Sequence, residues 1–270
     1  MKEVSNSLIY NHKSRPLANA IHVQESSRKK DDNSTVVIFF RRISQYVYDF
    51  KCAVIKGYAR ITQYLSWFAL WPMLKFFYQI KYHDRKNLKG IKPPVIIIAN
   101  HQKFYDAFLI RLALGFHSRL LPMRFMADMK FQDPFLKMVK KTGLIHFLYA
   151  TTGVFTVEKG LGLNKNLKRA KAILKNKGVV AMFPEGRLNR TKELLQFKRG
   201  VSALALSSNT PILPVVIKIG EHGTRNILGM RRRKIDIKIG IHKKLETHST
   251  YEELAEQLRT DVHEILSSIE

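Results

Sequence analysis

The chain predicts an α/β fold, a mixed and largely parallel sheet flanked by helices, on three observations. Short runs rich in Val and Ile alternate with helical patterns along the chain, the order that builds a sheet joined by crossovers. Several of these runs are apolar at consecutive positions instead of every second one, as in strands covered on both faces. The length, 270 residues, and the hydrophobic content, 45%, suffice for a sizeable core.

Taken in order, residues 1–35 are polar, rich in Ser, Asn and Lys, and lack the apolar core of a secretory signal peptide. They read as a disordered tail. From Arg41 to Ile61, the residues Ile43, Val47, Phe50, Val54, Tyr58 and Ile61 recur every three or four positions, with Arg42, Lys51, Lys56 and Arg60 around them. That spacing makes one helix face. The following Ile61–Leu74 stretch is uncharged, holds both tryptophans, Trp67 and Trp71, and runs into Lys75, Phe76, Phe77 and Tyr78. A span needs about 20 apolar residues, and Pro72 interrupts this shorter run. Residues 36–80 are therefore expected to form a pair of amphipathic helices lying in or re-entering the membrane interface, since Trp, Tyr and Lys settle at headgroup depth. A full span and a helix packed on a soluble domain are the alternatives. The expected location is peripheral or monotopic, on the cytoplasmic face of a membrane with anionic lipids.

Residues 81–270 carry the α/β domain. Val95–Ala99, Gly178–Phe183 and Ile212–Ile219 read as buried strands, and Leu163–Lys177 as a helix stopped at Gly178. Arg231–Ile241 alternates charged and apolar residues, the pattern of a half-exposed edge strand. In the closing helix Tyr251, Leu254, Leu258, Val262 and Ile265 form one stripe, and Ser249 with Glu252 matches a capping box.

The charge balance, 47 Lys+Arg against 21 Asp+Glu and a net +26, calls for an anionic partner, nucleic acid or lipid headgroups. A zinc-ligand pattern, an aromatic RNA-binding signature and a basic heptad region are all missing from the sequence. Nucleic acid is therefore not the expected partner, although the RRRK run at Arg231–Lys234 keeps a basic nucleic-acid-binding protein as the non-enzyme alternative. The single cysteine, Cys52, excludes an internal disulfide. No metal-ligand set and no Gly-rich phosphate fingerprint is present.

Chemistry enters at VIIIANHQKFYD. If the strand ends at Asn100, His101 stands at its carboxyl edge, where open α/β sheets hold their ligands. On one continuous helix residues five apart are rotated by about 140°, so His101 and Asp106 would diverge. They meet if His101 lies in the turn and Asp106 in the first turn of the next helix, where the helix dipole also favours a carboxylate. A His so paired has its tautomer fixed and its other nitrogen free to take a proton. Two further stretches join it: AMFPEGRLNR, which sets Glu185 and Arg187 on a tight turn, and GVFTVEKG, which carries Lys159.

With these blocks in order, the chain resembles the glycerophospholipid acyltransferases of the 1-acylglycerol-3-phosphate acyltransferase type. The family's NHxxxxD block is matched by Asn100-His101 and Asp106. Its GxxFxxR block is matched less closely by Gly153 to Lys159, with Thr156 where Phe would fall and Lys159 where Arg would. Its FPEGTR block is matched by Phe183-Pro184-Glu185-Gly186-Arg187, without the residue between Gly and Arg, and its proline-bearing strand by Pro211 and Pro214. The likeness covers roughly residues 70 to 225.

The resemblance implies transfer of a fatty acyl group from a thioester, acyl-CoA or acyl carrier protein, to the free hydroxyl of lysophosphatidic acid, giving phosphatidic acid. Another lysophospholipid or a glycolipid is the alternative acceptor. It assigns His101 as the base and Asp106 as its orienting partner, and it implies no metal and no cofactor beyond the thioester co-substrate. Lys159, Glu185, Gly186 and Arg187 are the expected acceptor-phosphate site, with Lys159 and Arg187 clamping the phosphate. Glu185 is expected to position Arg187 or to hydrogen-bond an acceptor hydroxyl. No GxSxG elbow exists, so direct transfer is expected rather than an acyl-enzyme.

Overall fold

The computed structural model of the chain describes residues 35–128, 138, 141–142, 153–157, 162–191, 193–220, 223–246 and 249–269. The expected polar tail lies outside them. A first compact unit ends at Val54, and a second, Ile55–Glu270, carries the sheet.

A single α-helix, α1 (Thr35–Phe77), 43 residues long, stands where a helix pair was expected. Pro72 lies inside it without ending it; the ring removes one backbone donor near the end of the helix, where few turns remain to be disturbed. No described helix is long and apolar enough to cross a membrane. From Ile55 onward α1 is apolar on two sides. Ala59 and Leu74 are buried, and Trp67, Leu70 and Trp71 pack on the core beside them. The Gln63 amide donates to the Met123 carbonyl (2.7 Å) and its oxygen accepts from the Met123 N–H (3.3 Å). On other positions of the same segment Tyr58, Ile61, Leu65 and Phe68 are exposed.

The sheet comprises β1 (Tyr78–His83), β2 (Val95–Ala99), β3 (Met123–Asp128), β4 (Phe155–Val157), β5 (Val179–Met182), β6 (Ile212–Ile219) and β7 (Arg233–Ile239). Their order is β1-β7-β6-β2-β5-β3-β4. All neighbours run parallel except β6 and β7. The expected strands at Val95, Gly178 and Ile212 are β2, β5 and β6. All five β2 residues are buried, Val95, Ile97 and Ala99 in one apolar cluster and Ile96 and Ile98 in the other. Helix α2 (Asp106–Leu114) and the end of α1 cover the first face; α3 (Leu163–Lys175), α4 (Gly200–Ser208) and α5 (Tyr251–Ser267) cover the second.

Two expectations are corrected. β7 is not an edge strand: it pairs with β1 on one side and β6 on the other. Its alternation comes from one face, Ile235, Ile237 and Ile239, facing the core while its charged positions find partners. Buried Asp236 meets His83 Nε2 at 2.8 Å and Lys234 Nζ at 3.3 Å, and Lys238 lies 3.6 Å from Asp84. The edge is β1, whose first residues fall within the stretch expected to be helical. The cap of α5 also sits one residue later than expected. Thr250 Oγ1 accepts from the Glu253 N–H (3.2 Å) and Glu253 accepts from the Thr250 N–H (2.8 Å), while Glu252 meets Arg199 at 3.0 Å. At the end of α3, Gly178 is needed for close approach, since a Cβ there would lie 2.7 Å from the Ile173 carbonyl oxygen.

Candidate active site

β2 is the strand at which the connections diverge, with β5 on one side and β6 on the other. A crevice at the carboxyl end of such a strand is the usual ligand position in open α/β sheets. Asn100 extends β2 through its side chain. Its Nδ2 donates to the Ile217 carbonyl and its Oδ1 accepts from the Ile217 N–H, both at 2.8 Å. The amide thus mimics one more ladder residue against β6 and sets where the strand stops.

His101 follows in the turn, and Asp106 opens α2. Asp106 is fully buried, and its Oδ2 accepts from the backbone N–H of Gln102 (2.6 Å) and of Lys103 (2.7 Å) and from His101 Nδ1 (3.1 Å). One oxygen taking three donors holds the turn closed and leaves the proton of the imidazole on Nδ1. The His101 side chain keeps 21% of its surface exposed, and no described residue hydrogen-bonds its Nε2. The ring stacks on Phe183 at 4.0 Å and 10°, and Phe183 stacks in turn on Phe125 at 5.8 Å.

The loop after β5 holds His101 by its backbone. Since β2 and β5 are adjacent and parallel, Ile98 lies opposite Met182 and the two carboxyl ends meet. Glu185 is buried and bridges two amides, its Oε1 accepting from the His101 N–H (3.0 Å) and its Oε2 from the Leu195 N–H (3.1 Å). Burial pushes its carboxyl above the ordinary range, against the downward pull of those two hydrogen bonds. The Asn189 N–H donates to the His101 carbonyl at 2.6 Å, and the Asn189 side chain closes its own loop onto Thr191 and Glu193. His101 is therefore fixed through N–H, carbonyl and ring.

Of the expected phosphate-site residues, Gly186 and Arg187 sit on the exposed outer turn of this loop. Gly186 has φ 68°, which a glycine adopts without strain, and its N–H donates to the Phe183 carbonyl (3.0 Å). Arg187 makes no hydrogen bond or ion pair with any described residue. Glu185 points inward to two backbone amides and the Asn189 side chain, and makes no ion pair with Arg187. Lys159 lies outside the described residues. Asn189 and Phe183 also hold His101; both fall within the AMFPEGRLNR stretch, but neither residue type signals that role locally.

A second support comes from Tyr105, just before Asp106. Its ring lies 5.4 Å from that of Tyr78 at the start of β1, and burial pushes its phenol upward, with the Tyr78 hydroxyl adding to the shift.

The family model described as Acyltransferase matches residues 79–218, the stretch that holds His101, Asp106, Glu185 and Arg187. The chain belongs to the acyltransferase family. This acyltransferase family member is 29% identical over 176 residues to a 1-acyl-sn-glycerol-3-phosphate acyltransferase of Saccharomyces cerevisiae, covering 62% of this chain and 52% of the yeast protein. It is 28% identical over 157 residues to a Homo sapiens protein named 1-acyl-sn-glycerol-3-phosphate acyltransferase beta, covering 56% of this chain and 51% of the human one. The chain spans about half the length of the curated relatives it matches. Its fold is similar to the crystal structure of a Thermotoga maritima 1-acyl-sn-glycerophosphate acyltransferase, PlsC, with a TM-score of 0.50 at 20% identity over 87% of this chain and 88% of that one. The α/β architecture is that of the family.

Proposed function

We propose that the chain transfers a fatty acyl group from an acyl thioester, acyl-CoA or acyl carrier protein, to the free hydroxyl of lysophosphatidic acid, yielding phosphatidic acid. The observation that carries this reading is the His101–Asp106 pair at the carboxyl end of β2, with Nδ1 committed to Asp106 and Nε2 without a hydrogen-bond partner among the described residues. Nε2 takes the acceptor's hydroxyl proton as its oxygen attacks the thioester carbonyl. The C–S bond then breaks, and the imidazolium returns the proton to the leaving thiolate. Asp106 keeps the ring oriented and stabilises the cation formed midway. The names of the relatives support lysophosphatidic acid as the acceptor.

Arg187, exposed and without a described partner, is the cation proposed to hold the acceptor's phosphate, with Lys159 as its companion. The assay is acyl transfer from a thioester to lysophosphatidic acid in mixed micelles, run beside acceptors without the phosphate. Arg187→Gln is expected to raise the lysophosphatidic acid KM about tenfold or more, the loss of one charge-assisted contact. Its effect on an uncharged acceptor should be small. Equal effects on both acceptors would remove Arg187 from the phosphate site, and a wild type inactive with lysophosphatidic acid would overturn that acceptor.

Glu185 serves in this reading as a positioning residue. Glu185→Gln sets an amide NH2 against one of the two backbone N–H groups that the carboxylate now accepts, at a cost of about 1–3 kcal/mol. A lower melting temperature and a lower kcat with an unchanged acceptor KM are expected, from thermal melts and steady-state kinetics together. A raised KM at constant kcat would instead put Glu185 against the acceptor.

Peripheral or monotopic association with a membrane is part of the proposal. It is supported by the exposed Tyr58, Ile61, Leu65 and Phe68 of α1 and by the net charge of +26.

A further inference from the structure

Between β6 and β7 the chain makes a hairpin, residues 223–233, whose apolar tip is held out in solvent by an ordered frame. The Gly223 N–H donates to the Arg232 carbonyl (2.8 Å), the Arg232 N–H to the Thr224 carbonyl (3.1 Å) and the Asn226 N–H to the Met230 carbonyl (2.9 Å). Asn226 Oδ1 accepts from the N–H groups of Leu228 and Met230, both at 3.0 Å. The root is clipped to the end of α1 and the start of β1. Asn226 Nδ2 donates to the Phe76 carbonyl (3.3 Å), Arg232 Nη1 to the Lys75 carbonyl (3.2 Å) and the Thr224 N–H to Gln79 Oε1 (2.8 Å). On this frame Ile227 is 93% exposed and Leu228 70%, with Met230 exposed beside them. Arg225, Arg231, Arg232 and Arg233 flank the tip, and residues 223–234 contain no Asp or Glu.

We propose that this hairpin is an insertion finger for an anionic lipid surface, Ile227 and Leu228 entering the acyl boundary while Arg225, Arg231 and Arg233 lie on lipid phosphates. An ordered turn that keeps its two largest aliphatic side chains in water fits an apolar medium, and a ring of cations fits the phosphates at its border. Nucleic acid would use the arginines but gain nothing from an aliphatic tip without aromatic rings to stack on bases. The finger's position matters for the chemistry. Arg233 lies opposite Tyr78 in the β1–β7 ladder, and the Tyr78 ring meets Tyr105 in the turn that carries His101 and Asp106. Seating the finger brings that turn to the lipid boundary; this consequence rests on the lipid-acceptor reading above, whereas the binding itself does not.

The test is co-sedimentation of the full chain with phosphatidylcholine vesicles with and without phosphatidylglycerol, alongside acyl transfer in detergent mixed micelles. Ile227→Ser with Leu228→Ser is expected to weaken binding to the phosphatidylglycerol vesicles about tenfold or more. Arg225→Gln and Arg231→Gln should each weaken it about fivefold at low salt. Both sets leave micelle activity unchanged. A fluorophore on Ile227→Cys, in a Cys52→Ser background, should shift to the blue on those vesicles. The proposal is overturned if the serine variant binds like the wild type, if the fluorophore's emission does not move, if the wild type ignores anionic vesicles, or if the arginine variants lose DNA binding alone. Silent micelles with the expected vesicle result would sink the acyl-transfer reading and leave the finger standing.

Discussion

His101→Ala is expected to lower acyl transfer by about 100- to 10,000-fold, the range for loss of a positioned general base. The folded protein should survive the change. The backbone N–H and carbonyl of residue 101 still meet Glu185 and Asn189, and only the ring's stack on Phe183 and its bond to Asp106 are lost. Because the ring is partly open to solvent, the cavity left behind fills with water instead of standing empty. The measurement pairs kcat with a thermal melt. A melt close to the wild type with transfer gone supports proton transfer at Nε2. Transfer retained in a folded Ala variant would mean that the hydroxyl loses its proton elsewhere, and the mechanism would fall with it.

The second large effect is expected from Asp106→Asn, and it separates orientation from charge. The Asn side chain is nearly the same shape. With its oxygen in the Oδ2 position it still accepts from Gln102, Lys103 and His101, so the ring keeps its place. Its NH2 then occupies the site of Oδ1, which is buried and without a hydrogen-bond partner among the described residues. Two buried donors left unpaired destabilise the fold by about 1–3 kcal/mol. What disappears is the negative charge beside the imidazolium, and kcat is expected to drop about 100-fold or more. If the alternative flip wins and the NH2 faces Nδ1, the wrong tautomer forms and the loss is larger still. A kcat within about twofold of the wild type would show that Asp106 only shapes the turn.

Much of this molecule was legible in the chain. β2, β5 and β6 stood out because strands covered on both faces must be apolar throughout, and Val and Ile fill such positions. The His101–Asp106 meeting followed from a strand end and a helix start only five residues apart, a local matter of turn geometry. β1 was hidden because its residues Tyr78–His83 continue directly from an aromatic, helix-like run, and nothing local separates the two. β7 looked like an edge because charged residues at alternate positions normally face water; here a buried Asp236 is hydrogen-bonded by His83 and paired with Lys234 instead. Glu185 was expected at the acceptor, beside Arg187, because the resemblance places it in the phosphate-binding block. It accepts from the backbone amides of His101 and Leu195, which no side-chain pattern advertises, with the Asn189 side chain beside them.

By itself, then, the sequence determined the fold class, the buried strands, the basic character of the chain and the placement of a histidine and an aspartate to meet across one turn. These depend on interactions within a few residues, where periodicity and turn chemistry decide. Only the tertiary structure decided that Asn100 would finish a strand against Ile217, that Glu185 would grip the amide of His101, and that the hairpin after β6 would be clipped to the end of α1. Those partners lie 117, 84 and 150 residues apart. A contact of that span exists only once strand order brings the two backbones together, and backbone amides are the same at every position until it does.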